Sequence, residues 1–163
     1  RIALGNFISS IYLEKGFLMT ESPSKLDIVR VSQEATLPTR AHSDDAGLDL
    51  YGLEDIILSP AQGKVARTGI AIALPKGFVG LVADRSSLAK RGVKTAGGVI
   101  DAGYRGELHI VLWNISGEAI HLRAGERIAQ LLIIPVATPA VNEVKAFEEE
   151  TARGAKGFGS SGK

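Results

Sequence analysis

Cysteine is absent from this chain of 163 residues, which excludes disulfides, thiolate metal sites and a cysteine nucleophile. The absence fits a reducing compartment, and we expect a cytoplasmic protein. Excess charge is missing as well, because nineteen basic and eighteen acidic residues leave a formal net charge of +1. No overall field therefore attracts nucleic acid or an anionic membrane, and any anion site must be local.

Long apolar runs are also lacking. No stretch approaches the roughly 20 residues that span a bilayer, so we expect neither a membrane nor a nucleic-acid partner. The three histidines, His42, His109 and His121, match no metal-ligand spacing. What is present is ordinary: 45% hydrophobic and 23% charged residues can bury one core, so we expect a single domain.

The first 18 residues differ in character from the rest of the chain. Met19, the only methionine, opens a segment that reads like a natural beginning. A remnant of a transit peptide is one interpretation, but the single arginine of this stretch is balanced by Glu14. We favour an extension at 1–18 that is not part of the fold, followed by a domain at 19–150 and a glycine-rich C-terminal arm at 151–163.

Short segments of alternating polarity follow Leu26, and turn residues interrupt them about every ten positions. This pattern predicts an all-β protein, a β-sandwich or jelly roll. The predicted strands are 25–31, 55–59, 65–74, 77–83, 107–115 and 126–136. The segment LLIIPV at 131–136 is apolar on both faces, so we expect it to be buried on both sides, at a subunit interface as well as in the core.

One helix is predicted, at 85–92, where Asp84 or Ser86 would cap the start and Gly92 would end it. Arg85 and the hydroxyls of Ser86 and Ser87 would then lie beside backbone N–H groups, an arrangement that suits an anion. A simple capped turn is the alternative interpretation.

Three further clusters lie where strands turn. Asp49 falls in a strand within AGLDLY at 46–51, where a solvent-facing carboxylate is the plain interpretation. GGVIDAGYRGEL at 97–108 predicts a hairpin whose loop carries Asp101 and Tyr104, although turns also favour Asp and Gly for local reasons. Beside an apolar pocket edge this aspartate could position a water. Gln130 lies among apolar neighbours and needs a polar partner, of which a ligand is one option.

The tail at 153–163, RGAKGFGSSGK, predicts a phosphate-binding arm. Glycines let backbone N–H groups approach an anion, Arg153 can fork onto phosphate oxygens, and Phe158 offers a face for a base. The letters from Gly157 to Lys163 also satisfy G-x-x-x-x-G-K, but a P-loop additionally needs a preceding strand, a following Ser/Thr and a helix. A plain Gly/Ser tail is the other alternative.

Together these five clusters, in sequence order from Ala46 to Lys163, closely resemble the motifs of the trimeric dUTPases. The resemblance implies the jelly-roll-like fold of that family, with one short helix and a flexible arm. It implies hydrolysis of dUTP to dUMP and pyrophosphate, and a homotrimer with shared sites. In such a trimer the hairpin, the phosphate residues and the arm of one site would come from three different chains.

The resemblance also implies roles for individual residues. Asp49 would hold Mg²⁺ through bound water, Asp101 would activate the attacking water, and Tyr104 would pack under the sugar. The hairpin backbone would bind uracil, and the arm would close over the nucleotide, with Phe158 on the base. The residues implied to contact substrate are Arg85, Ser86, Ser87, Gly98, Val99, Ile100, Asp101, Tyr104, Gln130, Arg153, Phe158, Gly159 and Ser160.

One motif departs from the family pattern. Most members have Pro-Arg-Ser-Gly, whereas Asp84 and Ser87 flank the Arg-Ser pair here. A carboxylate beside a phosphate site would weaken anion binding unless it turns away or caps the helix, so the role of Asp84 is open. The motif RSSLA also resembles the corresponding motif of the dCTP deaminases, but Val111 occupies the position where those enzymes carry a catalytic glutamate. A non-catalytic nucleotide-binding regulator is the rival from another class.

Overall fold

The computed structural model of the chain describes residues 25–148, 151 and 154. The predicted extension at 1–18 lies outside these residues, as do Arg153, Phe158, Gly159 and Ser160 of the arm. No helix in the described part of the chain is long and apolar enough to cross a membrane.

Ten strands and one helix form the described part of the chain, and all strand pairs are antiparallel. The strands are β1 (Asp27–Arg30), β2 (Leu48–Tyr51), β3 (Ile56–Leu58), β4 (Gly63–Ala73), β5 (Phe78–Ala83), β6 (Val93–Ala96), β7 (Val99–Ile100), β8 (Glu107–Asn114), β9 (Ile120–Leu122) and β10 (Arg127–Pro135), and the helix is α1 (Ser86–Lys90). The six strands predicted from alternation are all present, within two residues at each end.

Three sheets enclose the core. One has the order β1-β4-β8-β6, the second β2-β10-β5-β7, and the third pairs β3 with β9. Alternate side chains of β8, namely Leu108, Ile110 and Leu112, are buried between the sheets. The buried amide of Asn114 donates to the carbonyls of Leu58 (2.9 Å) and Glu118 (2.7 Å), which satisfies its donors. The all-β prediction is confirmed.

The prediction that 131–136 is buried on both sides, at a subunit interface as well as in the core, concerns an assembly and stays a prediction. Leu131 is completely buried, but the outward side chains of Ile134 and Val136 remain 37% and 42% exposed. Among the described residues, one face of this end of β10 is covered and the other is left partly exposed.

The predicted hairpin at 97–108 is wrong as a hydrogen-bonded pair of strands. β7 pairs with β5, whereas β8 pairs with β4 and β6, so the intervening loop crosses from one sheet to another. A turn closes this loop, in which the N–H of Tyr104 donates to the carbonyl of Asp101 over 3.0 Å. The loop still presents both predicted residues at the end of β7.

Helix α1 is shorter than predicted and is capped differently. Arg85 occupies the N-cap position in an extended conformation, and no side chain caps the first turn. The prediction that Asp84 or Ser86 caps the helix is therefore wrong. Gly92 ends the turn after the helix as predicted, because its φ of +87° lies in the left-handed region that favours glycine.

Candidate active site

A cavity of about 330 Å³ opens where β2, β10 and the start of α1 meet. Asp49, Arg85, Ser86 and Gln130, four of the residues singled out from the sequence, lie in its wall. The complete lining is Ala41, Asp45, Ala46, Gly47, Asp49, Arg85, Ser86, Arg127 and Gln130. Ser87 is next to this lining but is not part of it.

The register of β10 explains why distant parts of the sequence meet here. Gln130 lies opposite Asp49 on β2 and opposite Ala83 on β5. Arg85 follows Ala83 by two residues, so the end of β5 delivers it to the same edge. Backbone pairing in one sheet thus assembles the cavity wall from three separate segments of the chain.

Asp49 bridges two arginines. The Nε of Arg85 donates to its Oδ1 over 2.8 Å, and the Nη1 of Arg127 donates to its Oδ2 over 3.2 Å. The carboxylate is only 14% exposed, so it is not the solvent-facing group that was the plain interpretation. Charge-assisted bonds of this kind fix the direction of both guanidinium groups. The wall carries two arginines, Arg85 and Arg127, and two carboxylates, Asp45 and Asp49, so its formal charges balance. The paired guanidinium groups are the feature that suits a phosphate ligand.

Gln130 is held from two sides. Its Nε2 donates to the carbonyl of Asp84 over 2.8 Å, which supplies the polar partner that its setting requires. On the other side, a Cβ at Gly47 would lie only 2.2 Å from Oε1 of Gln130, so a larger residue there would displace this amide. The amide is therefore fixed at the cavity wall.

Asp84 turns away from the cavity. Its Oδ1 accepts from the backbone N–H of Thr95 (2.7 Å) and from Oγ1 of Thr95 (2.8 Å), and Nζ of Lys94 donates to its Oδ2. Partial burial opposes ionisation, but the bonds from Lys94 and Thr95 hold the pKa of Asp84 below its ordinary value. The extra carboxylate in the second motif is thus paired with β6 instead of facing the cavity.

A second group of predicted residues lies on the loop between β7 and β8. Asp101 and Tyr104 are exposed on this loop, as is Val99 in β7 just before it, and none of the three lines the cavity. The backbone at the start is close-packed: the N–H of Val82 donates to the carbonyl of Gly98 over 2.7 Å, and a Cβ at Gly98 would lie 2.5 Å from the carbonyl oxygen of Val82.

The tyrosine of this loop is fixed by its neighbours. The hydroxyl of Tyr104 donates to the carbonyl of Glu107 over 2.9 Å, and its ring crosses Gly106, where a Cβ would lie 2.5 Å from the hydroxyl oxygen. The carboxylate of Glu107 accepts from Nη2 of Arg67 (3.1 Å) and from the N–H of Gly69 (2.8 Å). Glu107 therefore ties the loop to β4.

The arrangement matches one known family along most of the chain. The family model described as dUTPase matches residues 33–162.

The chain belongs to the dUTPase family.

Relatives of known name agree with this dUTPase assignment. A deoxyuridine 5'-triphosphate nucleotidohydrolase of Mycolicibacterium vanbaalenii is 46% identical over 148 residues, which cover 86% of this chain and 96% of the relative. One from Corynebacterium jeikeium is 50% identical over 143 residues, covering 84% and 92%. Among solved structures, the dUTPase of Staphylococcus bacteriophage 80alpha with dUpNHpp has a TM-score of 0.82 and 33% identity, covering 86% of this chain and 99% of its own.

As a member of the dUTPase family the chain is a dUTP diphosphatase, a hydrolase that converts dUTP to dUMP. The family resemblance, the fold class and the enzymatic activity predicted from the sequence are confirmed. Membership also decides against the deaminase and the non-catalytic regulator as alternatives.

Arg127 is one cavity residue of this dUTPase that was not predicted from the sequence. Along a regular strand, residues three apart point to opposite faces, so Arg127 and Gln130 would not share a wall. A register shift between Arg127 and Ala129 places both on one face, as expected for a β-bulge. The basic residue within GERIAQLL was the available sign of Arg127 in the sequence. The bulge itself has no recognisable sequence pattern here. Asp45, in the loop before β2, was missed as well.

Proposed function

We propose that this dUTPase works by in-line attack of water on the α-phosphorus of dUTP, releasing dUMP and pyrophosphate. Arg85, Ser86, Ser87, Arg127 and Gln130 hold the triphosphate. The observation that carries this assignment is the pair of guanidinium groups fixed by Asp49 in one cavity wall. Guanidinium forks match phosphate oxygens in geometry and charge, and placing them beforehand avoids reorganisation during the reaction.

The phosphate cluster supplies most of the catalysis in this proposal. Phosphoryl transfer needs the attacking and leaving oxygens in line and the charge on the phosphate oxygens offset. Arg85 and Arg127 provide that charge at the cavity wall, and Gln130 adds an amide whose own orientation is fixed. The hydroxyl of Ser86, at the start of α1, lies in the same wall and donates to a phosphate oxygen.

Asp101 is the general base of the proposed reaction. It accepts the proton of the attacking water, a role worth about 10²–10⁴ in rate. The loop from Gly98 to Tyr104 binds deoxyuridine: the backbone at 98–100 reads the uracil edge and Tyr104 packs under the sugar. Support comes from the close packing at Gly98 and from the bond between Tyr104 and Glu107, which hold both ends of this loop.

Mg²⁺ is the proposed cofactor, and the residues present fit it in one manner. Both carboxylate oxygens of Asp49 already accept from arginines, and the described residues contain no group of three or more His, Asp or Glu that could hold a metal. Asp49 and Asp45 would therefore contact the ion only through water, a mode common for Mg²⁺ on phosphates. When bound, Mg²⁺ neutralises charge on the triphosphate. A mutant dUTPase from phage phi11 of S. aureus, 30% identical, coordinates a structural Mg(II) ion.

The proposed assembly is a homotrimer with shared sites. The loop bearing Asp101 does not line the cavity within one chain, which supports a second chain bringing the loop to it. The arm at 151–163, with Arg153, Phe158, Gly159 and Ser160, closes from a third chain. Exposed apolar side chains of the described residues, such as Ile134 and Phe147, offer surface for contacts between chains.

The proposed role in the cell is to limit uracil incorporation into DNA and to supply dUMP for thymidylate synthesis, in the cytoplasm. The decisive assay measures pyrophosphate release from dUTP, dTTP, dCTP and UTP in parallel. Hydrolysis in ¹⁸O-water then locates the attack, because attack on the α-phosphorus places the label in dUMP. Label in pyrophosphate, or equal turnover of the four nucleotides, would contradict the proposal.

A further inference from the structure

Asp84 connects two parts of the molecule that the proposed mechanism uses only indirectly. Its side chain points to β6, where it receives both polar hydrogens of Thr95 and the ammonium of Lys94. Its carbonyl points the opposite way and accepts from the amide of Gln130 over 2.8 Å. One residue thus ties an outer strand to the wall of the cavity.

The position of Asp84 in the chain links these bonds to both Arg85 and Gln130. Asp84 lies between Ala83, the last residue of β5, and Arg85, whose Nε bonds Asp49. A rotation of its peptide would move the acceptor of Gln130 and the backbone of Arg85 together. The carboxylate resists that rotation because it is anchored to the backbone of Thr95, which is part of a sheet and not a mobile side chain.

The charge of this carboxylate is balanced locally. Lys94 forms an ion pair with it, and the Asp84 side chain is only 22% exposed. A carboxylate this close to Arg85 would otherwise oppose the binding of a triphosphate. Lys94 therefore lets an anion serve as the anchor without a net negative charge next to the cavity.

We propose that Asp84 is a positioning residue for phosphate recognition: its bonds to Thr95 fix the peptide that places Arg85 and Gln130 in the cavity. The inference rests on the proposed phosphate role of those two residues. It assigns Asp84 no contact with substrate, so its removal should affect binding of the triphosphate and leave binding of the nucleoside unchanged.

The test measures dUTP hydrolysis and inhibition by deoxyuridine in the full chain carrying Asp84→Ala. Loss of charge-assisted bonds should raise the KM for dUTP about tenfold, with kcat within about threefold of the parent. Inhibition by deoxyuridine, which has no phosphate, should stay within about twofold. A KM within about twofold of the parent, or an equal weakening of dUTP and deoxyuridine binding, would overturn the inference.

Three further variants make the result specific. Asp55→Ala is the matched control, because Asp55 also accepts from a backbone N–H, that of Ala124 (2.8 Å), but lies outside the cavity. It should change neither constant; a shift like that of Asp84→Ala would indicate a general loss of structure. Arg85→Ala tests the proposed phosphate site itself. An unchanged KM for dUTP in Arg85→Ala would refute the phosphate site itself. A raised KM in Arg85→Ala together with an unchanged KM in Asp84→Ala would refute only the role of Asp84.

Thr95→Val covers the case in which Asp84→Ala does not fold. Valine has nearly the shape of threonine and keeps the backbone N–H, so only the 2.8 Å bond from Oγ1 is lost. The KM should then rise about two- to threefold, and it should not rise further when Thr95→Val is added to Asp84→Ala, because the two residues share one interaction. An unchanged KM in Thr95→Val, or full additivity in the double variant, would count against the proposal.

Discussion

Asp49→Asn is the sharpest single perturbation of the cavity. The substitution keeps the shape of the side chain but replaces one carboxylate oxygen by an NH₂ group, so one of the two arginines loses its acceptor and faces a donor. The bond from Arg85, at 2.8 Å between side chains that are 21% and 14% exposed, is the stronger of the two. Arg127 is 48% exposed, and its bond at 3.2 Å is weaker because water screens it.

The expected size follows from these two bonds. A charge-assisted bond in a partly buried setting contributes about 1.5–3 kcal/mol, and an exposed pair about 0–1 kcal/mol. Because the freed arginine can rearrange, we expect a net loss of about 1.5 kcal/mol of transition-state stabilisation, which corresponds to a roughly tenfold fall in kcat/KM for dUTP. The melting temperature should fall by only about 3–6 °C for a domain of this size.

The assay is steady-state hydrolysis of dUTP across a Mg²⁺ titration, with Asp55→Asn as the control carboxylate outside the cavity. The variant should lose activity and also require more Mg²⁺ for half-maximal rate. A kcat/KM within about twofold of the parent, together with an unchanged Mg²⁺ titration, would refute the assignment of Asp49 as the residue that fixes the arginines and contacts the ion through water.

Three further outcomes are expected. Asp101→Asn should abolish hydrolysis while dUTP affinity, measured by calorimetry, stays within about tenfold, because an amide cannot accept the proton of water; near-normal turnover would remove Asp101 as the base. Tyr104→Ala should raise hydrolysis of UTP relative to dUTP, since the bulk under the sugar is lost; an unchanged ratio would place selectivity in the loop backbone. Partial burial opposes ionisation of Glu107, but bonds from Arg67 and Gly69 lower its pKa below the ordinary 4.5. The stability that ionised Glu107 contributes is therefore present above pH 4.5 and lost as the pH falls through its lower pKa in the folded state. In Glu107→Gln the melting temperature should fall less on acidification than in the parent protein. An equal fall in both proteins would refute the effect.

The alternation of polar and apolar residues predicted most of the strands. Segments such as 65–74 and 107–115 were found within two residues of their bounds because one face of each is buried, which imposes a period of two on the sequence. β6 and β9 were not predicted. They have four and three residues, too few to establish a period, and Lys94 and His121 interrupt their apolar character.

The parts of the site that could not be predicted depend on contacts between residues far apart in the sequence. Strict alternation along β10 would put Arg127 and Gln130 on opposite faces, and the register shift brings them to one wall. The acceptor role of Asp84 toward Thr95 spans eleven residues and two sheets, so local capping rules pointed to α1 instead. Asp49, by contrast, was singled out as a site residue only by the resemblance to the family, and the structure places it in the cavity wall.

The shared site between chains is the central claim of this account, and complementation tests it most directly. Asp101→Ala lacks the base, and a chain truncated after Glu150 lacks the arm, so each should be inactive alone. The two are unfolded and refolded together in equal amounts, and mixed trimers are verified by native mass spectrometry. If loop and arm come from different chains, roughly a quarter of the sites should combine an intact Asp101 with an intact arm and hydrolyse dUTP. Verified mixed trimers without dUTP hydrolysis would contradict the shared site.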